Sequence, residues 1–265
     1  MWMNWTKNLC KLDKKSTMRG ITDTVKHLLI INVLMFIGSM VIANGMFYEW
    51  FSLYFPKNDL FKPWQFITHM FMHGGIMHIA FNMFALWMFG TAVEQVFGAK
   101  KFILFYLFSG LGAALIMIGF YYFKYLPSEG VLLESGMSLN EIHQILSTNQ
   151  VSQSVSELQR MELQNMFNIF NSSMVGASGA IMGVLVAFGM LFPESKLMLI
   201  FLPIPIKAKY FIPAIIALDL FSAITGQSIF SPSNTAFAAH VGGALTGFIM
   251  MWFWKKNESD KYRWN

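Results

Sequence analysis

Six long apolar stretches, at roughly 27–47, 75–95, 101–123, 173–192, 208–226 and 235–254, constrain this chain more than any other feature. Crossing a bilayer core takes about 20 mostly apolar residues in one helix. Lipid offers no partners to backbone donors and acceptors, so a spanning segment must satisfy them internally, as a helix does. An outer-membrane barrel would show short strands alternating apolar and polar residues, and no such strands are evident. Only 12% of residues are charged, about half the fraction usual in a soluble domain. The expected fold is all-α, a polytopic membrane protein with a bundle of six transmembrane helices. The net charge of +5 resides in Lys and Arg between the apolar runs. That distribution suits loops facing anionic headgroups, making the lipid bilayer rather than nucleic acid the expected partner. The single cysteine, Cys10, excludes an internal disulfide. The run beginning near His27 is too long for the apolar region of a signal peptide and is expected to be the first span.

Orientation follows from the Lys and Arg of the connections. Lys7, Lys11, Lys14, Lys15, Arg19 and Lys26 precede the first span. Lys100 and Lys101 follow the second, Lys196, Lys207 and Lys209 the fourth, and Lys255 and Lys256 the sixth. In a six-span chain these four segments share one side. The other connections hold only Lys57, Lys62, Lys124 and Arg160. The expected organisation is a cytoplasmic segment 1–26, a membrane domain 27–254 and a cytoplasmic tail 255–265. An integral protein of a bacterial inner membrane is expected, with both termini cytoplasmic. The 48–74 stretch, with Pro56, Pro63 and Trp64, reads as an interfacial segment. The 196–207 stretch is interrupted by Pro203 and Pro205 and is too short to span. The insertion 124–172, rich in Ser, Gln and Asn, is expected outside the cytoplasm as a mobile, partly helical loop. Within it Ser138 and Glu141 have the spacing of a capping box. Val155, Leu158, Met161, Met166 and Phe170 recur at rough helical spacing.

Polar residues within spans are costly and point to function. The second span carries His78 and Asn82, four apart and on one helix face. The fourth carries Ser178 in Gly176-Ala177-Ser178-Gly179, and the sixth carries His240. Spans two, four and six run in the same direction, and each of these residues falls in about the first two turns of its span. All four therefore share a depth near the extracytoplasmic face. Gly179 and Gly183, and Gly243 and Gly247, have the small-xxx-small spacing that lets helix backbones approach. Such packing brings His240 towards Ser178. A serine hydroxyl becomes a competent nucleophile when a base takes its proton, and histidine is suited to that task. Asn82, the His78 ring and the Ser178 backbone N–H are candidate oxyanion donors. No carboxylate within a span is evidently placed to orient His240, so a dyad is expected rather than a triad. Taken singly, Ser178 reads first as a helix-packing residue and His240 as an interhelical hydrogen-bond donor, and it is the four polar residues at one depth that point to catalysis.

These residues together resemble the rhomboid family of intramembrane serine proteases. Gly176-Ala177-Ser178-Gly179 matches its GxSG motif, His78 and Asn82 its HxxxN pair, and His240 with Gly243 and Gly247 its histidine helix. The resemblance runs from about Trp64 to Phe248. It implies a rhomboid-like six-helix core with a water-filled cavity above the serine, and Ser178 and His240 as catalytic pair. It also implies hydrolysis of single-pass or polytopic transmembrane protein substrates near the extracytoplasmic face, with no cofactor. By the same resemblance, 48–74 is a laterally lying loop supported by His73, and Glu94 is a buried structural acid. Non-enzymatic relatives usually lose the serine or the histidine, and both are present here. Three departures stand out: Gln65 follows Trp64 where the family often has arginine, Met182 replaces an aromatic residue, and the insertion is long.

Other motifs fail. His69 and His73 have metal-ligand spacing but lack the glutamate of a zincin helix and a third ligand, so no metal is expected. Ala180 breaks the soluble-hydrolase elbow. Asp219, in the fifth span, suits a packing contact to a neighbouring helix or part of a substrate gate. With Cys10 replaced, Ser147→Cys and Ser195→Cys are expected to react with an impermeant thiol reagent from opposite sides of the membrane. Labelling of both from one side would break the parity that aligns spans two, four and six.

Overall fold

The computed structural model describes residues 20–42, 45–151, 155–199, 202–227 and 236–261. Cys10 and the cations from Lys7 to Arg19 lie outside the described residues. The helices are α1 (Asp23–Val41), α2 (Met46–Phe51), α3 (Gln65–Thr68), α4 (Ile76–Phe97), α5 (Ala99–Glu134), α6 (Leu139–Thr148), α7 (Glu157–Phe170), α8 (Ser178–Leu191), α9 (Ala208–Thr225) and α10 (Phe237–Lys261). Two short antiparallel ladders pair β1 (Leu53–Tyr54) with β2 (Ser173–Met174) and β3 (Lys196–Leu199) with β4 (Leu202–Lys207).

Among the described residues, five helices, α1, α4, α5, α9 and α10, are long and apolar enough to cross a membrane. Their outward residues are apolar, as lipid requires: Leu34, Met40 and Val41 on α1, and Phe248, Trp252 and Phe253 on α10, are exposed. The expected fourth span differs. Helix α8 has 14 residues, about 21 Å at 1.5 Å per residue, against a hydrocarbon core of about 30 Å. The physical reason is its surroundings. Almost every residue from Gly179 to Leu191 is buried, and α8 packs against α4, α5, α9 and α10. A helix apolar all round belongs inside other helices, so its ends need not reach the bilayer surface. The residues before it form β2 and a turn, which puts Ser178 at the first position of the helix rather than one or two turns in.

Glycine sets the α8–α10 distance. A methyl group at Gly243 would overlap the Gly179 carbonyl, and one at Gly247 would lie 2.6 Å from the Gly183 Cα. One at Gly183 would lie 3.0 Å from the Gly243 carbonyl. The small-residue stripe read in the sequence thus brings the two backbones into direct contact.

Glu94 closes the end of the bundle opposite Ser178 and His78. Its carboxylate accepts from the Thr22 hydroxyl (2.6 Å) and from the backbone N–H groups of Thr24 (3.1 Å) and Val25 (2.9 Å). Those amides belong to the first turn of α1, whose donors have no intrahelical partners. The acid therefore caps a helix it is not part of, and the Thr22 side chain makes no cap of its own.

The 48–74 segment folds around Gln65, which is fully buried. Its Nε2 donates to the carbonyls of Leu60 (2.9 Å) and Glu49 (3.0 Å), and its Oε1 accepts from Lys62 N–H (3.0 Å). One amide, able to donate and accept at once, ties three parts of the loop together. Gln65 thus anchors the loop from the position where the family often has arginine.

The described residues of the insertion are largely helical and pack into a core of their own. Helix α5 runs 36 residues, about 54 Å, so its last third outruns the hydrocarbon. There Tyr125 and Leu132 pack with Ile142, Leu146, Met166 and Phe170 of α6 and α7, and with Phe55 from the 48–74 segment, in a core of their own. Ser138 caps α6 by accepting from Glu141 N–H, and Ser156 with Gln159 forms a full capping box on α7. The apolar set read along 155–170 splits by face. Met166 and Phe170 are buried, while Leu158 and Met161 are 55% and 57% exposed. The insertion is fastened to the 48–74 segment by the Lys57–Glu129 ion pair (2.6 Å), by Asn58 Nδ2 donating to the Phe170 carbonyl (2.7 Å), and by β1–β2. The proline-interrupted 196–207 stretch forms the β3–β4 hairpin.

Gly243→Leu is expected to cost at least about 3 kcal/mol, because it overfills a contact between two backbones. Gly119→Ala is expected to be nearly neutral, since a methyl there meets nothing within 4 Å. Thermal unfolding in detergent checks both, and equal midpoints for the two variants would contradict the packing.

Candidate active site

Three helix N-termini meet at one level. Ser178 opens α8, His78 is the third residue of α4, and His240 is the fourth residue of α10. The sequence argument expected these side chains to converge, and they do. Ser178 Oγ and His240 Nε2 lie 2.9 Å apart, within hydrogen-bond reach. The glycine contact between α8 and α10 lies directly below, so the distance follows from the packing of the two backbones.

The turn before Ser178 needs glycine at one position. Gly176 has φ +123°, a region open to glycine and strained for other residues. A methyl there would also lie 2.8 Å from His78 Nε2 and 3.6 Å from Ser178 Oγ. The Gly176 N–H donates to the His69 carbonyl over 3.0 Å, fixing the turn against the 48–74 segment. The His69 ring is itself held, with Nδ1 bonded to the Gln65 carbonyl at 2.8 Å.

His78 has its tautomer set by a neighbour. The Gly74 N–H donates to Nδ1 over 3.3 Å. A neutral imidazole accepting at Nδ1 carries its hydrogen on Nε2, and Nε2 faces Gly176 beside the Ser178 hydroxyl. His78 therefore presents a donor to the space above the serine. The His73 ring meets the His78 ring edge-on at 5.1 Å. Burial pushes the His69 and His73 imidazoles down to about 4, which keeps both neutral near pH 7. Asn82 is buried, and its Nδ2 donates to the His78 carbonyl over 2.9 Å. One amide hydrogen is thus committed to the helix backbone, and the second remains available as a donor. Met182 is buried in the main apolar cluster.

One contact of His240 goes beyond the sequence reading. No carboxylate was expected to orient His240, yet Asp219 Oδ2 lies 3.0 Å from His240 Nδ1. Its suggested packing contact to a neighbouring helix is real, and the neighbour is His240. The signal was available. Helix α9 runs opposite to α4, α8 and α10, and Asp219 lies 6 residues before its end at Thr225, about 9 Å. That places it at the level of the other polar residues, which all sit near the starts of their helices.

A polytopic helical bundle with a half-buried Ser–His contact at its helix N-termini is the class of protein these features define. The sequence matches the Rhomboid domain family over residues 60–139 and 142–257. The chain belongs to the rhomboid family and is a membrane protein. It is similar to Rhomboid protein 1, mitochondrial, of Saccharomyces cerevisiae, with 27% identity over 72% of this chain and 41% of the yeast protein. It is also similar to Presenilin-associated rhomboid-like protein A, mitochondrial, of Danio rerio, with 25% identity over 97% of this chain and 59% of that protein. A shorter match, 42% identical over 25% of this chain and 13% of the relative, is to Rhomboid protease GluP of Bacillus subtilis. The chain spans about half the length of the two mitochondrial relatives. Those two lend no support to the expected bacterial inner membrane.

Gly176→Ala is expected to slow phosphonylation of Ser178 by a fluorophosphonate at least about tenfold, from backbone strain and displacement of His78. In-gel labelling measures this. An unchanged rate would show that the turn tolerates a Cβ.

Proposed function

We propose that this chain is an intramembrane serine endopeptidase, which hydrolyses peptide bonds of transmembrane protein substrates near the extracytoplasmic face. The observation that carries this reading is the 2.9 Å contact between Ser178 Oγ and His240 Nε2. It is supported by family membership and by relatives named rhomboid proteases.

The chemistry uses residues already in place. Ser178 Oγ attacks the substrate carbonyl carbon as its proton passes to His240 Nε2. The oxyanion is held by the Ser178 backbone N–H at the start of α8, by His78 Nε2–H and by the remaining Asn82 amide hydrogen. His240 then gives the proton to the departing amide nitrogen as the C–N bond breaks. Water hydrolyses the acyl-enzyme by the same route. Neither a cofactor nor a metal takes part in this scheme. The substrate is a transmembrane helix that unwinds readily near its outer end. The segments 1–26 and 255–265 lie on the cytoplasmic side of the membrane domain 27–254, and the insertion lies outside.

Ser178→Ala and His240→Ala are each expected to lose cleavage of a test transmembrane substrate by on the order of 10⁴–10⁶-fold, and the double variant to be no worse, because the pair acts as a unit. Comparable turnover in Ser178→Ala and wild type, in detergent and in liposomes, would sink the dyad. Activity needs neutral His240, so the rate is expected to fall on acidification from about pH 8 to pH 4. His69 and His73 are held at about 4 in the fold, below their ordinary 6.5. Unfolding is therefore favoured as pH drops below about 6.5, with the loss complete near 4. The rate must accordingly be read beside a folding signal. A flat rate in folded protein across that range would argue against a histidine base.

A further inference from the structure

We propose that Asp219 is a positioning residue that holds His240 in the tautomer and orientation needed to accept the Ser178 proton, extending the pair to three groups. This rests on the protease reading above and goes beyond its dyad.

The geometry is a chain through opposite nitrogens of one ring. Asp219 Oδ2 lies 3.0 Å from His240 Nδ1, and His240 Nε2 lies 2.9 Å from Ser178 Oγ. The two side chains are only 15% and 11% exposed for His240 and Asp219. Among the described residues, the Asp219 carboxylate has no other hydrogen-bond partner. A carboxylate in a transmembrane helix is expensive, and Leu220, Phe221 and Ile224 beside it on α9 are exposed apolar residues, as lipid-facing positions are. A single partner is what makes this acid tolerable, and that partner is His240, the base of the proposed pair.

Tautomer logic gives the bond its consequence. A neutral imidazole has one N–H. With Asp219 ionised, the acceptor oxygen selects the hydrogen on Nδ1 and leaves the Nε2 lone pair facing the Ser178 hydroxyl. Without it, a hydrogen on Nε2 would face the serine and could take no proton. As the Ser178 Oγ–C bond forms, the proton moves from Oγ to Nε2 and His240 becomes an imidazolium. Asp219 keeps its negative charge, accepts from Nδ1–H throughout, and faces the new cation at 3.0 Å. The positive charge ends when Nε2–H passes to the leaving amine. His78, whose Nε2 lies beside Gly176 near the Ser178 hydroxyl, is a further titratable group at this site, and as a second cation it would oppose the imidazolium that Asp219 favours.

The test compares wild type, Ser178→Ala and Asp219→Asn of the full chain in liposomes. For Asp219→Asn, kcat is expected to fall by about 10²–10⁴-fold with KM little changed, as for other orienting carboxylates. The acid limb of kcat should move down by on the order of one pH unit, because the imidazolium has lost its counter-charge. A thermal unfolding midpoint is recorded alongside. An Asp219→Asn variant with wild-type kcat and an unmoved acid limb, even with a lowered midpoint, would reduce Asp219 to a strut between α9 and α10. Cleavage by Ser178→Ala would instead overturn the protease reading itself. Should Asp219→Asn fail to fold, nitrogen-15 histidine spectra of wild type decide the tautomer of His240. A hydrogen on Nδ1 is expected, and one on Nε2 would overturn the proposal.

Discussion

The site depends on how closely two helix backbones approach. Where α8 crosses α10, Gly179 meets Gly243 and Gly183 meets Gly247, with no side chain between them. Lipid is as apolar as leucine, so association in a bilayer comes from close fit rather than from exclusion of water. Glycine pairs provide that fit and also fix the registry of the two helices. Ser178 and His240 are carried on the same helices, directly above. A hydrogen bond between two short side chains tolerates only a few tenths of an ångström, and here backbone contact sets that tolerance.

Around this axis the bundle places polar groups at helix starts. Ser178, His78 and His240 all lie in the first turn of their helices. First-turn N–H groups have no intrahelical partners, and the helix dipole favours negative charge there. An oxyanion beside Ser178 would meet the first of those donors. At the opposite end, the same shortage of partners on α1 is met by the Glu94 carboxylate. One rule of helix ends thus accounts for the candidate oxyanion site on one side and for a structural acid on the other.

The outer parts brace the serine turn. Gln65 gathers the 48–74 segment, and the His69 carbonyl of that segment holds the Gly176 N–H. The insertion core includes Phe55, and β1–β2 joins Leu53 and Tyr54 to the strand just before Gly176. The insertion is therefore continuous with the support of the Ser178 turn.

The sequence by itself determined the apolar helices, the polar residues among them, the glycine spacing and the family motifs. These are properties of local composition and period, because lipid forces each span to satisfy its own backbone. It also contained the halves of the insertion caps, Ser138 with Glu141 and Ser156 with Gln159. What it could not show depends on neighbours distant in the chain. Helix α8 is short because other helices cover it. Gln65 can replace an arginine because three carbonyls and amides converge on it. The apolar residues of α7 divide at Met166 and Leu158 because only one face meets α5 and α6. Asp219 suits a contact to some neighbouring helix, and the antiparallel course of α9 beside α10 makes that neighbour His240. Periodicity fixes what a helix presents on each face, but which face meets which partner, and at what height, is decided when the helices pack.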